Sequence, residues 1–248
     1  MPPDSQPPIF VVSLPRARER REALEASLAS LGLSCTTIDA VDAVEGVPPE
    51  LEASIERTAR PPLSEPEFGC ALSHARIYRR MVEEGLPYAI ILEDDALPTE
   101  RLRSFVENEE YRRSSLILLY HGAAYIRRLG RTRLSDGTQL APLAANCSGT
   151  VGYSLDLKAA RALMEATTPV RHKADWPLDL RALGACITRP VLVGHPPTRA
   201  ESVIAEGRSK ADRSSRRKLT AAYYRLKWRR LWAERVRSAP HPLREGRQ

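Results

Sequence analysis

The sequence predicts an α/β fold: a mainly parallel sheet with helices on both faces, followed by a basic C-terminal helix. Three observations predict it. Through the first 120 residues, short apolar runs rich in β-branched residues alternate with segments of helical period, and strands separated by crossover helices pair in parallel. Of the 248 residues, 42% are hydrophobic and 28% charged, the balance of a globular protein and not of a collagen-like, disordered or membrane-embedded chain. The longest apolar runs, 89–92 and 116–120, fall far short of the roughly 18 residues that cross a bilayer.

Taken in order, 9–14 (IFVVSL) reads as a buried strand. Residues 16–31 carry Ala23, Leu24, Leu28 and Leu31 at helical spacing, with Gly32 as the stop. A second strand follows at 34–38, then a loop rich in Pro, Glu and Ala over 42–66 with a short helix in it. Residues 68–84 read as a helix closed by Gly85, and 88–92 as a third strand running directly into Glu93-Asp94-Asp95. A helix over 99–108 has Thr99 as its N-cap. A strand spans 115–120, and the Asp136-Gly137 turn signal makes 122–142 a hairpin or a mobile loop. Residues 149–155 are extended, 157–167 helical, and 186–193 the last strand-like piece; no internal repeat is visible.

Charge divides the chain. Residues 208–248 hold 14 of the 38 Lys and Arg and 3 of the 31 Asp and Glu, a balance of +11, which leaves −4 on residues 1–207. This predicts a mildly acidic catalytic or binding domain over 1–207 and a polyanion-seeking tail over 208–248. In the tail, Tyr224, Trp228, Trp232 and Val236 recur every four residues among Arg225, Lys227, Arg229 and Arg230. Over 218–236 such a helix either lies in the interface of an anionic membrane or docks on its own domain. No nucleic-acid partner is expected, because the cations sit on one tail without a recognisable nucleic-acid fold. The first 15 residues lack a signal-peptide pattern, and Cys35, Cys70, Cys147 and Cys186 are scattered with no C-x-x-C. The expectation is free thiols in a cytoplasmic protein, peripheral on the inner face of the cell membrane if the tail binds there.

The acidic triplet is the sharpest feature. Ligands of open α/β sheets bind at the carboxyl ends of strands, where Glu93-Asp94-Asp95 falls. In extended chain, residues i and i+2 point the same way, so Glu93 and Asp95 share a target and Asp94 faces elsewhere. Adjacent carboxylates repel unless a cation neutralises them, and oxygen ligands suit Mn²⁺ or Mg²⁺. The alternative is a solvated turn with Asp95 capping a helix.

Further segments set the triplet in a family context. Val11-Val12-Ser13-Leu14-Pro15-Arg16 with Glu19-Arg20-Arg21 resembles the "VINLDRSPERR" opening of glycosyltransferase family 25. Glu67 to His74 (EFGCALSH) resembles its "EIGCALSH", Ile90 to Asp95 its "ILEDD", and Ser148 to Ser154 its "GTHGYIIS". Asp175, then Pro190-Val191-Leu192-Val193 and Ser202-Val203-Ile204, resembles its close, so the likeness spans about 8–205 in the family's order. The resemblance implies a GT-A-like Rossmann-type fold, a nucleotide-sugar donor (commonly UDP-galactose), a glycan or glycolipid acceptor such as lipopolysaccharide, a divalent ion at the triplet, and inversion at the sugar carbon. It implies metal ligation by Glu93 and Asp95, a diphosphate role for Asp94, nucleotide contacts from Ser13, Leu14, Arg16 and Arg21, and a site role for His74. Ser13 and Pro15 stand where the family often has Asn and Asp, and Pro15 removes a backbone donor.

Displacing a diphosphate by a hydroxyl needs a carboxylate base, for which Asp175 and Asp179 are the candidates, Asp175 because it falls on the family's acidic position. Tyr153 reads as core packing, with a place near the site as the alternative, and Trp176 as core, with stacking on a sugar face as the alternative. Cys70 is given no chemistry, and His121, His172 and His195 have no spacing that suggests zinc. Two other functions use the same residues: a nucleotidyltransferase, and a catalytically inactive relative acting as a membrane-bound assembly partner.

Overall fold

The computed structural model describes residues 6–58, 62–196 and 232–238. Strand β1 (Ile9–Ser13) is buried along its whole length. It pairs in parallel with β2 (Thr36–Asp39), reached through helix α1 (Arg18–Ser30), and with β3 (Tyr88–Glu93), reached through α2 (Glu65–Glu83). The period of two along these strands separates two cores. Ile9, Val11, Ile90 and Leu92 pack with Leu24 and Leu28 of α1 and with Leu102, Phe105 and Val106 of α3 (Glu100–Glu107). Phe10, Val12, Ala89 and Ile91 face the other way, onto Ile77, Tyr78 and Met81 of α2 and Leu163 of α4 (Leu157–Ala166). Helices therefore cover both faces.

Between α3 and α4 lie β5 (Leu116–Leu118), β6 (Ala123–Ile126), β7 (Thr132–Arg133), β8 (Gln139–Ala145) and β9 (Gly152–Asp156). After α4 come β10 (Cys186–Arg189) and β12 (Glu234–Arg237). The sheet runs in the order β12-β6-β8-β10-β5-β9-β3-β1-β2, with β7 on β8. Parallel pairing holds where crossover helices connect the strands, in β2-β1-β3, and again between β5 and β10. The remaining pairs are antiparallel, because 122–145 returns through tight turns that do not allow a crossover. The parallel sheet expected from the first half of the chain thus continues as a mixed one. A small second ladder joins β4 (Leu97–Pro98) to β11 (Val193–Gly194), so Pro190 and Pro196 bound a strand separate from β10 where one was expected over 186–193.

Two boundaries move for identifiable reasons. Helix α2 begins at Glu65 because the Ser64 backbone N–H donates to Glu67 Oε2 at 3.0 Å, one half of a capping box, with Pro66 in the first turn. Thr99 precedes α3 without a side-chain cap; its Oγ1 donates instead to Leu192 O at 2.9 Å. Asp136-Gly137 does make a hairpin turn: Asp136 Oδ1 accepts from Thr138 N at 2.8 Å and Gly137 has φ +82°. The four cysteines are free thiols.

The C-terminal helix is corrected at its end. Residues 234–237 form an edge strand antiparallel to β6, with Val236 opposite Ala124. Its single β-branched side chain is buried at 4% exposure between charged neighbours, an alternation that a strand satisfies and a helical stripe does not. Glu234 pairs with Arg131 at 2.5 Å and Arg189 at 3.1 Å, locking β12 to the hairpin. Trp232 stays 75% exposed. Tyr224 and Trp228, with the rest of 197–231 including the 202–204 segment, lie outside the described residues. Among the described residues no helix is long and apolar enough to cross a membrane.

Candidate active site

The carboxyl ends of β1 and β3 lie side by side, and the chain beyond β3 is pinned by backbone bonds: Glu93 N donates to Val151 O at 2.9 Å and Asp94 N to Val12 O at 3.1 Å. The triplet therefore leaves the sheet in a fixed direction. A cavity opens there, lined by Leu14, Arg16, Arg20, Cys70, His74 and the three acids Glu93, Asp94 and Asp95. An adjoining cavity shares Cys70 and Glu93 and adds Tyr120, Gly149, Thr150, Lys173, Asp175 and His195.

Each carboxylate has its own environment. Asp94 turns back to the start of the chain, accepting from Ser13 Oγ at 2.9 Å and pairing with Arg20 at 3.2 Å. Burial pushes its carboxyl above the ordinary range despite those two partners, and Asp95 and Glu93 add to the rise. Asp95 Oδ2 meets His195 Nε2 at 3.1 Å, while Asp95 Oδ1 is buried and has no hydrogen-bond partner among the described residues. The hydrogen bond to Asp95 raises His195 above the usual histidine value, against the pull of burial. Glu93 takes neither of these partners. Its Oε1 accepts from Thr150 Oγ1 in a short bond and lies 3.3 Å from His74 Nε2. Burial pushes Glu93 up, but those hydrogen bonds and the two histidines outweigh it and hold the carboxyl below its ordinary value. All three carboxylates thus reach the cleft through different partners, Asp94 included where it was expected to face elsewhere, because β3 ends at Glu93 and Asp94–Asp95 form a turn in which the i,i+2 alternation of extended chain no longer holds.

Ser13, Leu14, Arg16, His74, Glu93, Asp94 and Asp95 come together as the sequence reading placed them. Ser13 is buried beneath the cavity and reaches it through Asp94, and Arg16 pairs with Asp42 at the rim. Two candidates are placed elsewhere. Arg20, one position and about 100° earlier on the helix, occupies the position expected of Arg21, which lines neither cavity. Asp179 caps the 3₁₀ turn Leu180–Leu183, accepting from Arg181 N at 3.2 Å and pairing with the Arg181 side chain. Its carboxylate is committed to that turn, whereas Asp175 lines the second cavity with Oδ1 accepting from Gly149 N at 2.7 Å. Trp176 is core, 6% exposed and edge-on to Tyr153 at 5.1 Å. Asp95 caps no helix, although Asp94 and Asp95 do form a partly exposed turn. His195 was missed, because 100 residues separate it from Asp95 and only the β4–β11 ladder brings them together; the available signal was a histidine directly after a strand.

An α/β sheet with carboxylates emerging into a cleft from the end of a central strand defines the Rossmann-like GT-A class of fold. Within that class the chain belongs to glycosyltransferase family 25: the family profile, described as glycosyltransferase family 25 (LPS biosynthesis protein), matches residues 6–178. The chain is similar to the lacto-N-neotetraose biosynthesis glycosyltransferase LgtB of Neisseria gonorrhoeae, 28% identical over 70% of this chain and 66% of that protein. It is 24% identical to a putative glycosyltransferase of Haemophilus influenzae, over 84% of this chain and 79% of that one. It is also 31% identical to the human inactive glycosyltransferase 25 family member 3, over 66% of this chain and 29% of that one.

Proposed function

We propose that the protein is a metal-dependent inverting glycosyltransferase that moves a hexose, galactose in our reading, from a UDP-sugar to a hydroxyl of a cell-surface glycan such as lipopolysaccharide. The observation that carries this reading is Asp95 Oδ1, a buried carboxylate oxygen with no hydrogen-bond partner among the described residues, on a residue that lines the cavity at the end of β3. A buried carboxylate oxygen without a hydrogen bond is costly, and a cation would satisfy it. The all-oxygen triplet fits Mn²⁺ or Mg²⁺. Asp95 is the principal ligand in this proposal, with Glu93 beside it. His195 stands behind this carboxylate, its Nδ1 2.8 Å from Pro196 O and its Nε2 3.1 Å from Asp95 Oδ2, which fixes the orientation of Asp95. When bound, such an ion supplies positive charge to a departing diphosphate.

The protein's own groups do the rest. Arg16 and Arg20 line the donor cavity with positive charge, complementary to a diphosphate, and Asp94 holds Arg20 in place. Asp175, anchored by the Gly149 N–H, takes the acceptor's hydroxyl proton as the oxygen attacks the anomeric carbon. The bond from that carbon to the diphosphate oxygen breaks, its electron pair leaves with UDP, and a single displacement inverts the centre. Relatives named for lacto-N-neotetraose and lipooligosaccharide biosynthesis support a surface-glycan acceptor, and the basic tail supports a lipid-linked one at an anionic membrane. The similarity to an inactive family member, with Ser13 and Pro15 at the opening motif, favours a non-catalytic assembly role as the second reading.

A thermal-shift assay with UDP-galactose and Mn²⁺ tests this. At a hundredfold excess over Kd, ligand adds about 2.7 kcal/mol, or roughly 5–10 °C in Tm for a protein of this size. Asp95→Asn should lose the combined shift. A variant stabilised as much as the wild type would remove the metal role, and a wild type indifferent to every nucleotide sugar but bound to a partner transferase would favour the assembly role.

A further inference from the structure

The sequence gives Cys70 no chemistry, yet the fold brings it into a mixed cluster of sulfur, nitrogen and oxygen donors. Cys70 and His74 stand four residues apart on α2, stacked on one face, and Glu93 ends β3 opposite them. Cys70 Sγ, a ring nitrogen of His74 and a carboxylate oxygen of Glu93 all lie within 4.8 Å of one another. We propose that Cys70, His74 and Glu93 form a site for zinc or a similarly soft divalent ion, which shares Glu93 with the cation proposed at Asp95, competes with it for that carboxylate, and opens into the same cavity. The binding stands on its own geometry; only its effect on transfer rests on the function proposed above.

Ligand chemistry separates the two sites. Thiolate and imidazole select zinc over manganese or magnesium, which prefer oxygen. Zinc bonds of about 2.0–2.3 Å put tetrahedral ligand atoms roughly 3.5 Å apart, so the cluster needs about 1 Å of closure.

The surroundings of His74 suit a ligand. Its Nδ1 lies 2.8 Å from Tyr153 Oη, which in turn lies 2.9 Å from Tyr78 Oη. A phenol both donates and accepts: without an ion the chain runs from Tyr78 O–H to Tyr153 to Nδ1, with Nε2–H on Glu93 Oε1, and reversing it puts the proton on Nδ1, which then donates to Tyr153. Nε2 then presents its lone pair to the cluster, the arrangement of a metal-bound histidine supported from behind. Burial, with the carboxylates of Glu93, Asp175, Asp95 and Glu67, pushes the Cys70 thiol up, so an ion has to displace its proton. Binding would release the thiol proton to solvent, and all three residues line the cavity. An ion here occupies space that the donor diphosphate needs, so zinc inhibits transfer.

The test uses the full-length protein stripped of metal by a chelator and titrated with Co²⁺, then Zn²⁺. One equivalent of cobalt should give a thiolate-to-cobalt charge-transfer band that zinc abolishes. Cys70→Ser should lose the band and bind zinc at least tenfold more weakly, Tyr153→Phe should also bind more weakly, and Asp95→Asn should keep the band. Zinc should in addition protect Cys70, and not Cys35, from alkylation in the wild-type protein, a readout that does not depend on a variant folding. Absence of the band, or equal alkylation of Cys70 with and without zinc, overturns the site. If UDP-galactose turnover is measurable, zinc should suppress it in the wild type and less in Cys70→Ser. If no turnover is found while the band appears, the function fails and the zinc site stands.

Discussion

Asp175 owes its position to a residue that only glycine suits. Gly149, whose N–H binds Asp175 Oδ1, has φ +114°, a backbone conformation that a side chain strains. The carboxylate is thereby held at the second cavity, with its other oxygen available to an acceptor. Asp175→Asn keeps the shape and removes the base, so kcat should fall by about 10²–10⁴ while the thermal shift with UDP-galactose and Mn²⁺ persists. Loss of that shift would mean that Asp175 serves donor binding, and unchanged kcat would exclude it as the base. At this scale the sequence was informative where a residue's role follows from its place along one strand. Asp94 and Asp95 were legible from the strand end alone. Arg20 was not distinguishable from Arg21, because one helical step decides which of them faces the cleft, and the helix phase could not be set from a start placed two residues early. Asp179 and Asp175 carry the same charge in the same stretch, and only the 3₁₀ turn separates a cap from a site residue.

Elements built on local patterns were read closely: β1, β3, α1 and α4 fall within a few residues of their expected bounds, since their apolar periods are strong, the strands feeding both cores and each helix one. What escaped was the pairing of 122–145, where short strands among Arg, Gly and Ser carry little periodic signal and register comes from tertiary partners. One such partner is Glu110. Buried at the end of the 3₁₀ turn Glu110–Arg113, it accepts from Ser135 N at 2.7 Å and pairs with Arg113 at 2.9 Å, tying that turn to the β7–β8 hairpin. Burial pushes its carboxyl up, but these bonds outweigh burial and hold it below the ordinary value. A group depressed on folding stabilises the protein fully above the unfolded carboxylate range, about pH 4.3, and loses that contribution as pH falls through the folded value. Glu110→Gln should therefore cost about 1.5–3 kcal/mol at pH 7, read as a lower Tm. The gap from the wild type should shrink as the pH drops below about 4. A gap independent of pH would show that shape, not ionisation, holds the hairpin.

Across the whole molecule, acid and base are segregated between a cleft at the end of β1 and β3 and a basic rim at the β12 edge. There Arg127, Arg128, Leu129, Arg181 and Trp232 line one broad depression, with Leu129 at 80% and Trp232 at 75% exposure. Exposed apolar side chains among cations suit the interface of an anionic membrane better than open water. The tail sequence adds the +11 of residues 208–248, each cation near a charged bilayer contributing about 1 kcal/mol. The proposed lipid-linked acceptor needs the enzyme at such a surface. The expected outcome is co-sedimentation with vesicles containing phosphatidylglycerol and not with neutral ones. Raising salt from about 0.1 to 1 M shortens the screening length from about 10 to 3 Å and should release most of the bound protein. Trp232→Ala should weaken binding at both salt concentrations, because it removes the apolar anchor, while paired Arg127→Ala and Arg128→Ala changes should weaken it mainly at low salt. Equal partitioning to neutral vesicles, or indifference to all three substitutions, would leave the tail's charge without a membrane role.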